Sequence, residues 1–317
     1  MIECLNKVKR CIEEANTICL AAHLRADGDA VGSVGAMYHF LKELGKEVYM
    51  ILPDVEDVFN FLPELEMHMD SVPVDSYDLL ICLDTSNIER LNILEEDIKK
   101  AKKIIVIDHH KNNAIDADVK FVNEEAPANC ENIYDIITYM KHDISKNIAE
   151  YIYTGLMTDT GSFNYERTTS KTYNIAAEMI DKGANSVRTC KILNNTYSEA
   201  RMKLVAQVID SMETYFDGKL RISMTDLETR QRLGAKEQDV QSVVNYLRGI
   251  EGTIVAVYIR ALEEGGYKVS IRAEEPVDAA ELCLLFGGGG HKRAAGFSTN
   301  DLEGTKAKLI ETVERLL

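Results

Sequence analysis

The sequence predicts an α/β protein in two domains: a doubly wound, largely parallel sheet to about residue 187, then a smaller mixed-sheet α/β domain from about residue 216. Three observations predict it. Short apolar runs separated by helix-length segments fill the first half, as in βαβ units. Past residue 216 the apolar runs crowd together, and two of them flank Glu264-Gly265-Gly266, a hairpin signal that brings in antiparallel pairing. A chain of 317 residues is also long enough to bury two cores.

Residues 5–14 read as a short helix and 17–22 as the first buried strand. That strand delivers His23, Asp27 and Asp29 within seven residues, with Gly28 letting the backbone turn between the two acids. A helix over about 30–44 follows and stops at Gly45. Asp29 would serve as its N-cap. Capping explains neither His23 nor Asp27, and such a group is costly to bring together unless a cation sits among its members. Residues 47–52 form the second strand, and 78–83 the third, which delivers Asp84-Thr85-Ser86. Ile104-Ile105-Val106-Ile107 is a buried strand running straight into Asp108-His109-His110, three groups that seldom go inside unpaired. Three strands thus end in carboxylate or imidazole clusters, and on parallel strands such ends converge on one crevice. A largely apolar helix over about 147–157 runs into Asp159, which alone would suit a turn.

Residues 171–182 form a helix closed by Gly183, and the polar stretch 194–216 reads as a connector. Beyond it 220–224, 254–260 and 267–273 are strands, and 235–247, 279–284 and 305–317 helices. Between the last two lies Gly287-Gly288-Gly289-Gly290-His291-Lys292-Arg293. Four glycines in a row cost backbone entropy, and close approach of backbone N–H groups to an anion would account for them. The plainer alternative is a flexible loop, although such loops more often mix glycine with serine.

Lys and Arg number 36 against 52 Asp and Glu, a net charge of −16. That surface suits long duplex nucleic acid poorly, because phosphate neutralisation needs clustered cations. An anionic substrate still fits if metal ions supply the local positive charge. No apolar run approaches the ~20 residues of a membrane span, and Met1 to Leu5 reads as the start of an amphipathic helix, not a secretory leader. The seven cysteines form no CxxC pair, which reads as reduced thiols in a cytoplasmic protein.

His23-x3-Asp27-Gly-Asp29, Asp84-Thr-Ser, Asp108-His109-His110 and Gly-Leu-Met-Thr-Asp159-Thr-Gly resemble, in order, the four motifs of the DHH phosphoesterases. The run from Gly287 to Gly296 resembles the signature of the associated DHHA1 domain, and the match spans nearly the whole chain. Ala26 stands where the family often has proline, a change in loop stiffness that removes no ligand. Length and domain content look like the stand-alone oligoribonuclease (nanoRNase) and pAp phosphatase subgroup.

The resemblance implies a metal-binding catalytic domain over residues 1–187, a helical connector over 188–215 and a substrate-binding domain over 216–317, with the active site in the cleft between domains. It implies two divalent cations. His23, Asp27 and Asp84 would hold one, and Asp29, Asp84, His109 and Asp159 the other, with Asp84 bridging. Carboxylates and imidazoles without thiolate suit Mn2+ best, with Mg2+, Co2+ or Zn2+ as alternatives. His110 and Asp108 become the catalytic pair, His110 facing the phosphoryl group and Asp108 orienting a histidine. Arg272, His291 and the glycines 287–290 become substrate-binding residues. The expected activity is hydrolysis of very short RNAs to mononucleotides, with removal of the 3′-phosphate of pAp as a second activity. The alternatives are a phosphodiesterase for cyclic or linear dinucleotides, a manganese pyrophosphatase, or a nucleotide sensor without catalysis. The expected partners are short nucleic acids or nucleotides, with neither long duplexes nor membranes, and a homodimer stays open.

Overall fold

The computed structural model describes residues 2–317; Met1, read above with the amphipathic start, lies outside them. The chain divides into two compact units, one ending at Asn195 and the other spanning Thr196–Leu317.

The first unit opens with α1 (Ile2–Glu14), β1 (Thr17–Ala21), α2 (Gly28–Glu43), β2 (Glu47–Ile51) and β3 (Tyr77–Leu83). It continues through α3 (Glu95–Ile98), β4 (Ala101–Asp108), β5 (Val119–Val122), α4 (Asn129–Tyr139), α5 (Lys146–Asp159), α6 (Ser170–Asp181) and α7 (Ser186–Asn194). Its five strands run parallel in the order β2-β1-β3-β4-β5. The order reverses between β1 and β3, so the crevice at their carboxyl ends is where an open sheet of this kind takes a ligand. Side-chain alternation divides the core between two faces. Ile18, Leu20, Ile81, Ile105 and Ile107 pack with residues of α1, α2, α4 and α5, whereas Cys19, Leu80, Cys82 and Val106 pack under Val72, Leu91 and Ile115 from the connections.

Three of these elements, α3, β5 and α4, are absent from the sequence expectations. The N-cap of α4, Ala128, makes no side-chain capping bond, so the usual start signal is missing. The expected role of Gly28 also changes. It lies in the first turn of α2, where a Cβ would come within 2.4 Å of the Thr158 side chain. A Cβ on Gly155 would meet Cys130 Sγ at 2.2 Å. These glycines let α2, α4 and α5 approach closely; they are not there for a turn.

In the second unit α8 (Glu199–Asp210), β6 (Glu213–Tyr215), β7 (Leu220–Thr225), α9 (Leu227–Leu233), α10 (Glu237–Val240) and α11 (Val244–Arg248) come first. Then follow β8 (Val255–Ala261), β9 (Tyr267–Ala273), α12 (Ala279–Leu284), β10 (Gly289–His291), β11 (Ala294–Thr299) and α13 (Leu302–Leu316). The sheet order is β10-β11-β9-β8-β7-β6, antiparallel except for β7 with β8. Val255, Val257, Val269 and Ile271 pack on Leu282, Leu309 and Val313, while Ala256 and Tyr258 pack on the opposite side with Leu204, Val208, Val243 and Leu247.

The stretch expected as a connector spans the division between the two units. It contributes α7 to the first unit and α8 and β6 to the second, because Leu204, Val205 and Val208 are buried with the second unit's core. The helix expected over 235–247 is broken between α10 and α11, where Ser242 takes φ of 58°. Arg201 Nη1 there donates to the carbonyls of Asp239 and Gln241 at 3.0 and 2.9 Å, and a continuous helix would have spent the Asp239 carbonyl on its own ladder. No helix of the described residues is long and apolar enough to cross a membrane.

Candidate metal centre

His23 and Asp27 follow β1, Asp84 follows β3, His109 follows β4, Asp29 lies in the first turn of α2 and Asp159 ends α5. All six sequence-predicted ligands come together. His23, Asp27 and Asp84 form one group, Asp29, His109 and Asp159 a second, and Asp84, His109 and His110 a third that joins Asp84 to the second through His109; in each, one ligand atom per residue lies within 4.8 Å of the others. His23 Nε2 is 3.8 Å from Asp27 Oδ1 and 3.8 Å from Asp84 Oδ2. His109 Nε2 is 3.3 Å from Asp84 Oδ1, 3.9 Å from Asp29 Oδ2 and 3.7 Å from Asp159 Oδ2. The two oxygens of Asp84 therefore face different groups.

Most of these separations are too long for hydrogen bonds. The His109–Asp84 distance of 3.3 Å falls in the ~3.0–3.4 Å expected between two donors that each stand about 2.1 Å from a shared cation, and the others are wider, at 3.7–3.9 Å. Asp84 Oδ1 is buried and accepts no hydrogen bond from the protein, although Asp84 is only 2% exposed. A buried carboxylate oxygen without a donor is costly, and a cation relieves that cost. The donor set fits the inferred pair: His23, Asp27 and Asp84 would hold one ion and Asp29, Asp84, His109 and Asp159 the other.

Local structure fixes each side chain. Asp27, not Asp29, is the N-cap of α2, its Oδ1 accepting from the amides of Asp29 and Ala30 at 3.0 and 3.1 Å. Asp29 instead accepts from the first-turn amides of α4, Asn129 N at 2.5 Å and Cys130 N at 2.9 Å. A carboxylate 100 positions away thus caps α4 and is steadied by its dipole. His109 Nδ1 is bonded to the Ala126 carbonyl at 3.1 Å, which leaves Nε2 for the cluster. Asp108, fully buried, accepts through Oδ1 from His109 N, His110 N and His110 Nδ1 at 2.8, 3.2 and 2.8 Å. The sequence reading missed Asn129 and Cys130, whose contribution is backbone amide and leaves no side-chain signal, and also Asn113, which bonds Asp108 Oδ2 at 2.7 Å.

Crowded carboxylates set the protonation. Burial raises the pKa of Asp29, and the charges of Asp84 and Asp159 raise it further. Asp159 is pushed up to about 6, by burial and by Asp84 against the pull of His109. Burial lowers His23 and His109, but the acids beside them prevail and raise them to about 9 and about 10. The metal-free cluster therefore holds protons where ligands must be bare. A cation has to displace them, so Mn2+ affinity should rise with pH, by about tenfold per unit from pH 6 to 8 if one proton leaves per ion. Mn2+ titrations of metal-free protein at three pH values measure this, and a pH-independent affinity would place the ions elsewhere.

The second unit holds the remaining predicted residues. His291 pairs with Ala294 and Ala294 with Arg272, so the three form one row across β10, β11 and β9. Directly opposed side chains point to the same face, and two strand spacings separate His291 from Arg272 by roughly 9–10 Å. Arg272 Nε donates to Asn245 Oδ1 at 3.0 Å. The glycine run is not a loop throughout: Gly289 and Gly290 lie in the edge strand β10. A Cβ on Gly288 would meet the Gly296 carbonyl at 2.4 Å, and Gly290 takes φ of 147° against Ala294. Backbone packing therefore accounts for two of the four glycines without an anion.

Residues 17–156 match the DHH family, N-terminal domain, and residues 198–317 match the DHHA1 domain. A Thermus thermophilus protein named bifunctional oligoribonuclease and PAP phosphatase NrnA is 32% identical over 305 residues, covering 95% of this chain and 90% of its own. The Bacillus subtilis protein of the same name is 28% identical over 295 residues, covering 91% of each. The crystal structure of an exopolyphosphatase-related protein from Bacteroides fragilis superposes with a TM-score of 0.90 at 26% identity, covering 98% of this chain and 95% of that one.

Proposed function

We propose, because this chain belongs to the DHH/DHHA1 phosphoesterase family, that it is a two-metal hydrolase cleaving short oligoribonucleotides to mononucleotides and removing the 3′-phosphate of pAp. The observation that carries this reading is Asp84: a buried carboxylate whose two oxygens face two separate ligand groups. When bound, two divalent cations, Mn2+ first, lower the pKa of water and neutralise charge developing on the phosphate. The residues of the chain do the rest. Asp108 occupies His110 Nδ1 and so leaves Nε2 to hold or move a proton at the phosphoryl or leaving oxygen. Asp27 and Asp159, the solvent-facing acids, with side chains 59% and 33% exposed, border the route of entry. The seven free cysteines suit a reducing cytoplasm.

To the row of His291 and Arg272, with Gly287 and Gly289 of the glycine run, we assign a phosphate other than the one being cleaved. His291→Ala and Arg272→Ala should then raise KM about tenfold or more, with kcat and both bound metals near wild type. Steady-state kinetics with metal analysis checks this, and a matching loss of manganese would move either residue to the metal centre. The function itself is tested by purified protein with Mn2+ against pAp, a dinucleotide, cyclic dinucleotides, pyrophosphate and a long oligomer. Turnover of pyrophosphate alone would overturn it.

A further inference from the structure

We propose that Asn113 is a positioning residue for this hydrolysis, locking the Asp84 turn to the Asp108-His109-His110 strand end through one side-chain amide; the proposal rests on the phosphoesterase reading above. Asn113 Nδ2 donates to Asp108 Oδ2 at 2.7 Å and to the Thr85 carbonyl at 2.8 Å, and its Oδ1 accepts from Ile115 N at 3.2 Å. Both amide hydrogens and one acceptor position of the carbonyl oxygen are thus used. Asp108 is fully buried and Thr85 is 2% exposed, so water is a poor substitute for either bond. The other oxygen of Asp108 already serves His109 N, His110 N and His110 Nδ1.

The two ends held this way need holding. Asp84 takes φ of 52°, a left-handed conformation that persists in a non-glycine residue only when its surroundings determine it. Its neighbour Thr85 is fixed by Asn113, and a second rung, Ala114 N to the Ser86 carbonyl at 2.8 Å, clips the same two loops together. On the other side Asp108 sets the ring of His110 and the start of the turn carrying His109. One amide thus fixes the bridging carboxylate relative to a metal-ligating histidine and to the histidine that faces the substrate. Groups behind metal ligands typically change affinity or rate by about 10–100-fold when removed.

The test uses the full chain with Asn113→Ala and Asn113→Asp, read by dinucleotide turnover and, independently of activity, by Mn2+ binding followed through the EPR signal of free Mn2+. Asn113→Ala should lower kcat about 10–100-fold, move KM less than about threefold and weaken Mn2+ binding about tenfold. Asn113→Asp, although isosteric, should be worse, because an oxygen would face the Thr85 carbonyl and the Asp108 carboxylate. The double variant with Asp108→Asn should be no worse than the more damaged single. Asn113→Ser, which keeps one donor, should fall between wild type and alanine, and it carries the comparison if the alanine variant does not fold. A milder aspartate than alanine, additive losses in the double variant, or wild-type kcat and Mn2+ affinity would each overturn the assignment. If wild type binds two Mn2+ but turns over no nucleotide, the functional reading fails instead, and the Mn2+ affinities of the variants still decide Asn113.

Discussion

Asp84→Ala is expected to remove catalysis by about 10^3-fold or more, a loss of ~4 kcal/mol, and to take bound metal with it. No other inferred ligand faces both groups: His109 Nε2 stands 3.3 Å from one Asp84 oxygen and His23 Nε2 3.8 Å from the other. Without that carboxylate two dications would have to sit close together with one negative charge fewer between them, and each would keep a thinner ligand set. The remaining acids cannot fill in. Asp29 is committed to the amides of Asn129 and Cys130, and Asp27 spends one oxygen on capping α2. Metal content by atomic absorption and turnover of a dinucleotide should fall together. Two retained ions and a near-normal rate would disprove the bridge. His23→Ala makes the control, since it leaves the Asp29, His109 and Asp159 group intact and should keep more than half the metal.

The part of this site legible in the sequence is the part each strand delivers locally. His23, Asp84 and Asp108-His109-His110 stand at the ends of three apolar runs, and parallel strands carry such ends to one edge of the sheet. What was not legible depends on distant partners. Asp29 looks like a helix cap and is one, but for α4, a helix that announces itself poorly because its cap comes from α2. Gly28 looks like a turn residue and proves to be clearance for Thr158, as Gly155 is for Cys130. The break between α10 and α11 turns on Arg201, some forty residues earlier. Part of the glycine run reads as an anion cradle only while β11 is out of view, since Gly288 and Gly290 are needed by the strand they pack on.

Substrate length should divide rates as sharply as any mutation outside the metal centre. The acidity is uneven: residues 1–195 hold 20 Lys and Arg against 33 Asp and Glu, a net −13, and residues 196–317 hold 16 against 19, a net −3. A phosphate lying beyond the metal centre along the first unit meets net negative charge and releases no counterions, so added length brings repulsion without binding energy. We expect kcat/KM to peak at about two to five nucleotides and to fall at least about tenfold by a twenty-mer. The opposing possibility lies in the second unit, where Lys268 stands opposite Arg260 across β8 and β9 on the face that also carries Arg272, with Arg260 already paired to Glu237 at 2.6 Å. A strand tracking those cations would gain affinity with length. Salt separates the two cases. Repulsion is screened by added salt, so the rate on a twenty-mer should recover relative to the dinucleotide as ionic strength rises. Binding to a basic track would weaken instead, with the long substrate losing most. Rates on a ladder of single-stranded RNAs at two salt concentrations and fixed Mn2+ decide it, and a twenty-mer degraded as fast as a trimer at low salt would sink the short-substrate reading.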